Sequence, residues 1–594
     1  MKTWLQGIEK SASFPWILGV LYAVFAGGLV WAVLGVSRFR MEQALTVWIP
    51  WNLRIAFLLL ILGLFACRRD LASAFRSAFL REEAPGGKGA GRILGRLSPG
   101  GIALIAVLAV ALILVVFATV RTHRIFFDED IYANMAQSIA AAGKAGICTY
   151  GTFEYGEYFP NQLSYNKDPS GWPFLISLVF QLFGTNELFA FLLNNLVYGI
   201  GIFIVFFLAR TIGGGTVASW FAAAVFALTP HNIIWSNTLA AEPPAALFGG
   251  IVALLLLLYV RSGEARHLFL LAAAAPLACT MRPESGMILF WAAAALLALR
   301  PELLKSREFW AMGLMAAVML VPHVLHTFAV SGESWGATGP KFSLAFFAKN
   351  IAVNGPYYLN NAGFPAIFSL LAVLGLLSRG ARREKALLLL WFVLFWGIFL
   401  FFYAGSYKYG ADVRFALLSL MPLAVLAGLG AEAFARWAAG LKKNFALPAG
   451  ANSVAVPAAA LAIVVVFLWT GFLPLVRLEG QEAWGARCDH RFAQEAVKKI
   501  PDRSIVLTHV PTMFLVWGRN AISPNVGISD QPLVWDMMQR YRGHVYFHWG
   551  YWCNTKADSN RQICEEIARK YEMEPVAQAR EQDHEYGLYK IRFK

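Results

Sequence analysis

The sequence predicts a polytopic α-helical membrane protein of about thirteen transmembrane helices with a small C-terminal soluble α/β domain. Three observations predict it. The 594 residues are 58% hydrophobic and only 15% charged, with a mean hydropathy of +0.55, more apolar surface than a water-soluble fold needs. Apolar runs of about twenty residues, the length that crosses a hydrocarbon core, recur as far as about residue 475. Cations alternate with those runs, so that successive connections sort into basic and non-basic. Lipid satisfies no backbone polar group, and such runs therefore fold as helices rather than open strands.

The runs lie at roughly 15–36, 46–67, 101–120, 187–209, 216–236, 243–260, 267–281, 286–299, 309–328, 363–378, 386–404, 415–435 and 454–475. The first is too long for the apolar core of a cleaved leader and lacks a small-residue cleavage site, so it reads as a retained helix. Pro50 interrupts the second. Between the second and third runs stand Arg68, Arg69, Arg76, Arg81, Lys88, Arg92 and Arg96 against Asp70, Glu82 and Glu83. That loop is cytoplasmic by the positive-inside tendency. Parity then makes the loops bearing Arg210, Arg261 and Arg266, Arg300 to Arg307, Arg379 to Lys385, and Arg436 to Lys443 cytoplasmic as well, and each is basic. The N-terminus falls inside and the C-terminal segment outside, at a plasma membrane, a bacterial inner membrane by preference. The net charge of +15 is spent in these short loops. No basic arm with interleaved aromatics remains, which excludes a nucleic-acid partner and leaves the bilayer.

Three organisational units follow: 1–100, two additional N-terminal spans and their basic loop; 101–475, the membrane domain with a long outer loop at 121–186; and 476–594, the soluble domain. In the outer loop, Ile131, Met135 and Ile139 mark one face of a helix over Ile131–Ala142, and Trp172–Phe183 is an apolar run too short to cross, expected along the interface. The outer loop 329–362 mixes Trp335, Phe342 and Tyr357 with Lys341 and Lys349, as a cavity cover or a membrane-surface segment would. In the soluble domain, helical patterns at Phe492–Ile500 and Arg561–Tyr571 alternate with strands at Ser504–Val510, His544–Trp549 and Tyr586–Phe593. Of six cysteines, Cys148, Cys488, Cys553 and Cys564 fall outside, where disulfides form, and Cys553 and Cys564 are nearest in sequence.

Charged residues converge on the outer face. Asp128, Glu129 and Asp130 follow the third span; one of them can serve as a general base, or the three can simply favour a helix N-terminus. Glu242 precedes Pro243 and Pro244 at the outer end of a span, as a capping neighbour or a second acidic site residue. Arg282-Pro283-Glu284 puts a cation outside, against the usual bias, as an anionic ligand or a local ion pair requires. Tyr407-Lys408-Tyr409 with Asp412 and Arg414 does the same, with interfacial anchoring as the alternative for the tyrosines. Lys167 and Asp168 complete the set. Carboxylates and cations on one membrane face suit sugar transfer from a polyprenyl phosphate: a base activates the acceptor, cations stabilise the departing phosphate, and the bundle offers an apolar groove.

The order Asp128-Glu129-x-x-Tyr132, then Tyr165-Asn166-Lys167-Asp168-Pro169-Ser170-Gly171-Trp172-Pro173 and Phe180-Gln181-Leu182-Phe183-Gly184, resembles the glycosyltransferase-C superfamily, in particular the dolichyl-phosphate-mannose–protein mannosyltransferases and the lipid A aminoarabinose transferases. The resemblance implies Asp128 as the base, with Glu129 and Glu242 shaping the sugar or acceptor site. It implies Lys167 as a phosphate contact and Arg282 and Arg414 near the donor or the cavity; with the charge pattern, Arg282, Lys408, Arg414 and Lys167 are expected to hold the phosphate, and Asp168, Tyr132 and Glu284 to bind substrate beside them. Asp168 between Lys167 and Pro169 departs from the family's Lys-Pro element, as do the two additional spans. The implied reaction is inverting transfer of a hexosyl or pentosyl group to a glycan, lipid or protein acceptor on the outer side. No cofactor is expected to be required, although Asp128 and Asp130 form an acidic-x-acidic pattern able to take a divalent ion. A transporter of lipid-linked sugars is the rival reading; it would place ionisable groups at the midplane, with inverted repeats, and no repeat is evident. His544 and His548 precede Cys553 and Cys564 at a spacing that loosely resembles a zinc arrangement, but His-x-x-x-His on a strand is not a helix face, so no zinc site is expected there. His323 and His326 read as hydrogen-bonded interior residues.

Overall fold

The computed structural model describes residues 14–80, 98–125, 127–407, 410–445, 471–481, 484–555 and 558–594. Seven described helices are long and apolar enough to cross a membrane: Pro15–Gly35, Arg38–Ala66, Gly100–Ala118, Glu187–Thr211, Glu242–Ser262, Arg307–Ala329 and Val413–Ala438. Shorter apolar helices run over Gly171–Phe183, Thr216–Leu228, Ala265–Cys279, Pro283–Leu299 and Ala366–Leu377, and Arg382–Leu400 adds a further one. Most of the span expected at 454–475 lies outside the described residues. The run at 216–236 is not one helix. Pro230 cannot continue the ladder, so Thr229 turns extended and a second helix starts at Pro230.

The bundle packs through small residues. A Cβ on Gly375 would overlap the carbonyl oxygen of Leu426, and one on Gly430 that of Leu371. The helices Ala366–Leu377 and Leu420–Phe445 therefore touch backbone to backbone, as membrane helices do where no water drives them together. At the basic end, the buried Lys385 donates to the carbonyls of Gly375 and Ser378, capping the helix that ends at Leu377. The two additional N-terminal helices join this bundle: Tyr22 donates to the Trp310 carbonyl and Arg38 pairs with Glu333. The helix Arg38–Ala66 contributes Met41, Leu45, Leu53 and Leu60 to the same core.

Seven strands form one mixed sheet: β1 (Ile147–Glu154), β2 (Glu157–Ser164), β3 (Ile505–Leu507), β4 (Asn520–Ile522), β5 (Val545–Trp549), β6 (Tyr571–Glu581) and β7 (His584–Phe593), in the order β2-β1-β4-β3-β5-β7-β6. The expected strands are present. The boundary expected at 476 is crossed, because the β1–β2 hairpin belongs to the segment 121–186 and pairs antiparallel with β4 through Tyr150–Ile522 and Gly151–Ala521. The helix read over Ile131–Ala142 starts earlier, at Asp128, and buries Met135 and Ile139 against Ala145. The helix Gly171–Phe183 does not simply lie on the interface: Trp172, Phe174 and Ile176 are fully buried, whereas Leu182 and Phe183 are exposed. Cys553 and Cys564 form a disulfide.

Candidate functional site

The site is built from three connections between helices, tied by hydrogen bonds. Gly171 N–H donates to the Thr280 carbonyl, and a Cβ at Gly171 would sit 2.5 Å from that oxygen. This close approach fixes the residues just before Arg282. Trp172 Nε1 donates to the Leu239 carbonyl at 2.7 Å, and Leu239 N–H donates to Glu129 Oε2 at 2.5 Å. These bonds bring together the first helical turn at Asp128, the Lys167–Trp172 segment and the turn before Glu242. His326 supports the same segment, with Nδ1 2.6 Å from the Tyr165 hydroxyl and Nε2 3.1 Å from the Lys167 carbonyl, in agreement with its reading as a hydrogen-bonded interior residue.

They enclose a cavity of about 460 Å³ lined by Asp128, Tyr132, Lys167, Asp168, Arg282, Glu284 and Arg414. Seven of the sequence-predicted residues thus share one hollow. Its apolar flank is Phe342, Ile398, Phe399 and Phe402. Trp335 and Lys341 bring the loop 329–362 over it, and the ammonium groups of Lys167 and Lys341 lie 5.8 and 5.9 Å from the Trp335 ring. Of the two readings left open for that loop, the structure takes the cavity cover. Lys408 lies outside the described residues.

The cations are positioned by buried carboxylates. Glu242 Oε1 lies 2.7 Å from Arg282 Nη1 and 2.8 Å from Arg414 Nε, and Glu284 Oε1 lies 2.5 Å from Arg282 Nε. Phe415 carries both guanidinium groups on its ring, at 5.6 Å for Arg282 and 4.9 Å for Arg414. Burial alone would lower the Arg282 pKa, but Glu242 and Glu284 raise it well above the ordinary value. Arg414 Nη2 reaches to 3.8 Å from Asp128 Oδ2.

Asp128 keeps 43% of its side-chain surface open, onto the cavity. Enclosure by protein raises its pKa against the pull of Arg414, Arg282 and Lys167. Asp168 in the same hollow is pushed up to about 6 by burial and by the charge of Asp128. Tyr132 stands one turn after Asp128. Burial, helped by Asp168 and Asp128, pushes its phenol well above its usual range, so it remains a hydrogen-bond donor.

Three acidic expectations are corrected. Glu129 is fully buried and accepts from the backbone N–H groups of Arg124, Ile125 and Leu239. Its oxygens are engaged in holding the loops, so it shapes the site without facing it. Glu242 is likewise 0% exposed and sits behind the arginines rather than in the hollow. Asp130 does not share the cavity with Asp128. It is two residues along a helix, roughly 200° around the axis, and its carboxylate lies 3.3 Å from His123 Nδ1 and 3.4 Å from His490 Nε2. The acidic-x-acidic pattern therefore makes no joint oxygen site in the hollow. Tyr407 is buried between Tyr357 and Tyr358 and is no interfacial anchor. Trp335, Lys341 and Phe415 have no sequence signal of their own beyond residue type.

Fold and hollow together define a class: a multi-pass membrane protein of the glycosyltransferase-C fold. Residues 167–326 match the family model of the dolichyl-phosphate-mannose-protein mannosyltransferases. In three dimensions the chain is similar to ArnT from Cupriavidus metallidurans bound to undecaprenyl phosphate, with TM-score 0.50 and 16% identity over 83% of this chain and 98% of that one. The archaeal oligosaccharyltransferase AglB from Archaeoglobus fulgidus, in complex with an inhibitory peptide and a dolichol-phosphate, aligns at TM-score 0.46 and 13% identity over 80% of this chain and 69% of that one. No curated protein matches by sequence.

Proposed function

We propose that this protein is a membrane glycosyltransferase that moves a hexosyl or pentosyl group from a polyprenyl-phosphate donor to a glycan, lipid or protein acceptor, inverting the anomeric centre. The observation that carries the reading is one hollow holding a cavity-facing carboxylate, Asp128, opposite two guanidinium groups fixed by a buried glutamate. The basic loops support an extracytoplasmic position for the hollow. The family match over Lys167–His326 and the fold shared with ArnT support the substrate class.

The chemistry follows from that arrangement. Asp128 takes the proton of the acceptor hydroxyl as its oxygen attacks the anomeric carbon. The bond from that carbon to the phosphate oxygen breaks, and the electron pair leaves on the phosphate. Arg282 and Arg414, with Lys167 nearby, balance the charge gathering there. Such preorganised cations cost little reorganisation when the charge forms. Phe342, Ile398, Phe399 and Phe402 offer the apolar flank that an isoprenoid chain needs. A single displacement of this kind inverts configuration.

The test is transfer from a radiolabelled polyprenyl-phosphate sugar by the purified protein in vesicles. Asp128→Asn is expected to reduce transfer by about 100-fold or more, the scale of a lost general base, with an unchanged elution profile and Tm. Full activity in that variant removes Asp128 as the base. Movement of the labelled lipid across sealed vesicles without sugar release would favour the transporter reading instead.

A further inference from the structure

Beyond the hollow, a second polar cluster joins the membrane domain to the C-terminal sheet. His123 lies in the loop after the Gly100–Ala118 span, Asp130 in the first turn of Asp128–Ala142, and Glu187 at the start of Glu187–Thr211. His490 comes from the C-terminal helix Trp484–Ala496. One ligand atom from each of the four lies within 4.8 Å of the others. His123 Nδ1 to Asp130 Oδ1 is 3.3 Å, His490 Nε2 to Asp130 Oδ1 is 3.4 Å, His123 Nε2 to Glu187 Oε1 is 3.5 Å, and His490 Nε2 to Glu187 Oε1 is 3.9 Å.

These separations are too long for charge-assisted hydrogen bonds, which run at about 2.7–2.9 Å. Both ring nitrogens of His123, Asp130 Oδ1, Glu187 Oε1 and His490 Nε2 are buried without a hydrogen-bond partner. The side chains of His123 and Asp130 are 7% and 2% exposed. Unpaired buried polar atoms are costly, and one such atom from each of the four residues, all within 4.8 Å of one another, calls for an occupant. Ligands at about 2.0–2.1 Å from a tetrahedral zinc ion stand roughly 3.3–3.4 Å apart, the spacing of the closest contacts here. The surroundings also fit. Trp517 Nε1 donates to the second oxygen of Glu187 at 3.3 Å, orienting it as outer partners orient metal ligands. Phe191 and Trp517 wall the two imidazoles.

We propose that His123, Asp130, Glu187 and His490 bind one divalent first-row metal ion, zinc by preference, which fastens the C-terminal sheet to the helix that presents Asp128. Two imidazoles and two carboxylates around a small closed centre favour zinc over magnesium or calcium, which take more oxygens. The ion is structural, since all four positions are taken by protein and the hollow lies on the other side of the helix.

The test uses the full-length protein in detergent, kept oxidised so that Cys553 and Cys564 stay paired and offer no thiolate beside His509. Chelator-treated protein is titrated with zinc and with cobalt. One equivalent of metal per chain by elemental mass spectrometry, a tetrahedral cobalt spectrum, and a Tm raised by zinc are expected. His490→Ala and His123→Ala should each weaken uptake by about tenfold or more, whereas Asp128→Asn should take up metal as the wild type does. If a histidine variant does not fold, His490→Gln, which keeps the side-chain volume, replaces it. Failure of the wild-type protein to take up one equivalent overturns the proposal. So does metal uptake that survives in the His490 variant, or that is lost in Asp128→Asn.

Discussion

Single residues in this site divide into those that face the hollow and those that hold them in place. Glu242 is of the second kind: one buried carboxylate aligns Arg282 and Arg414. Glu242→Gln leaves two buried guanidinium groups short of a counter-charge, a loss of about 3–5 kcal/mol when one partner of a buried pair is removed. We expect a lower Tm and a 10- to 100-fold fall in kcat/KM, which is about 1.4–2.7 kcal/mol of transition-state stabilisation. A donor-binding defect larger than the fall in kcat would separate positioning from chemistry. Asp168 sets a pH signature. Its folded pKa of about 6 lies above its ordinary 3.8, so the folded state binds the proton more tightly than the unfolded one. That preference favours folding fully below 3.8 and is lost as pH rises through about 6. Thermal melts across this window should be flatter for Asp168→Asn than for the wild type; identical profiles would remove the assignment. The resemblance motif located Asp128, Lys167 and Asp168 in sequence. It did not distinguish Asp128, which faces the hollow, from Glu129, which accepts three backbone amides, because neighbouring helical residues diverge by about 100° and no local signal says which of them the tertiary structure turns inward.

At the scale of elements, apolar length located the membrane helices and Pro230 explains the break within one of them. The close contact between Ala366–Leu377 and Leu420–Phe445 depends on Gly375 and Gly430, each facing a carbonyl oxygen of the other helix. Gly430→Val inserts two methyl groups and a Cβ where backbone stands. It should cost about 1–3 kcal/mol or more by overpacking, read as a lower Tm and reduced yield of monodisperse protein. A Tm equal to that of the wild type would mean that the two helices can part without loss. The β1–β2 hairpin escaped the sequence reading for a different reason. β2 is the edge strand and carries Pro160, and neither β1 nor β2 keeps a strict alternation of buried and exposed residues. The period-two signal that marks a half-buried strand is therefore absent.

The whole molecule is a helical bundle whose segment 121–186 lends two strands to a sheet otherwise built from C-terminal residues. The same segment supplies Phe127 and Cys148 to the core under that sheet, with Val506, Met513 and Phe514. Gln137 Nε2 also donates to the Leu515 carbonyl at 3.0 Å. The C-terminal segment is thus not complete by itself. Residues 476–594 expressed alone should expose the β4 edge and this apolar cluster and should aggregate or melt without cooperativity. A monomeric product with a sharp thermal transition, by gel filtration and circular dichroism, would contradict the shared sheet. In the intact chain the arrangement couples the soluble unit to the helix that begins at Asp128.

The amino-acid sequence by itself determined the class, the positions of most apolar helices, the basic character of alternate loops and the set of charged residues gathered around the hollow. These follow from local quantities: apolar length against bilayer thickness, and charge against topology. Tertiary structure alone decided which carboxylates face the hollow, which arginines share Glu242, and where the sheet recruits the hairpin. Those outcomes rest on contacts between residues in separate segments, such as Arg282 with Glu242, Arg414 with Asp128 and Tyr150 with Ile522, and no periodicity within one segment encodes a partner in another.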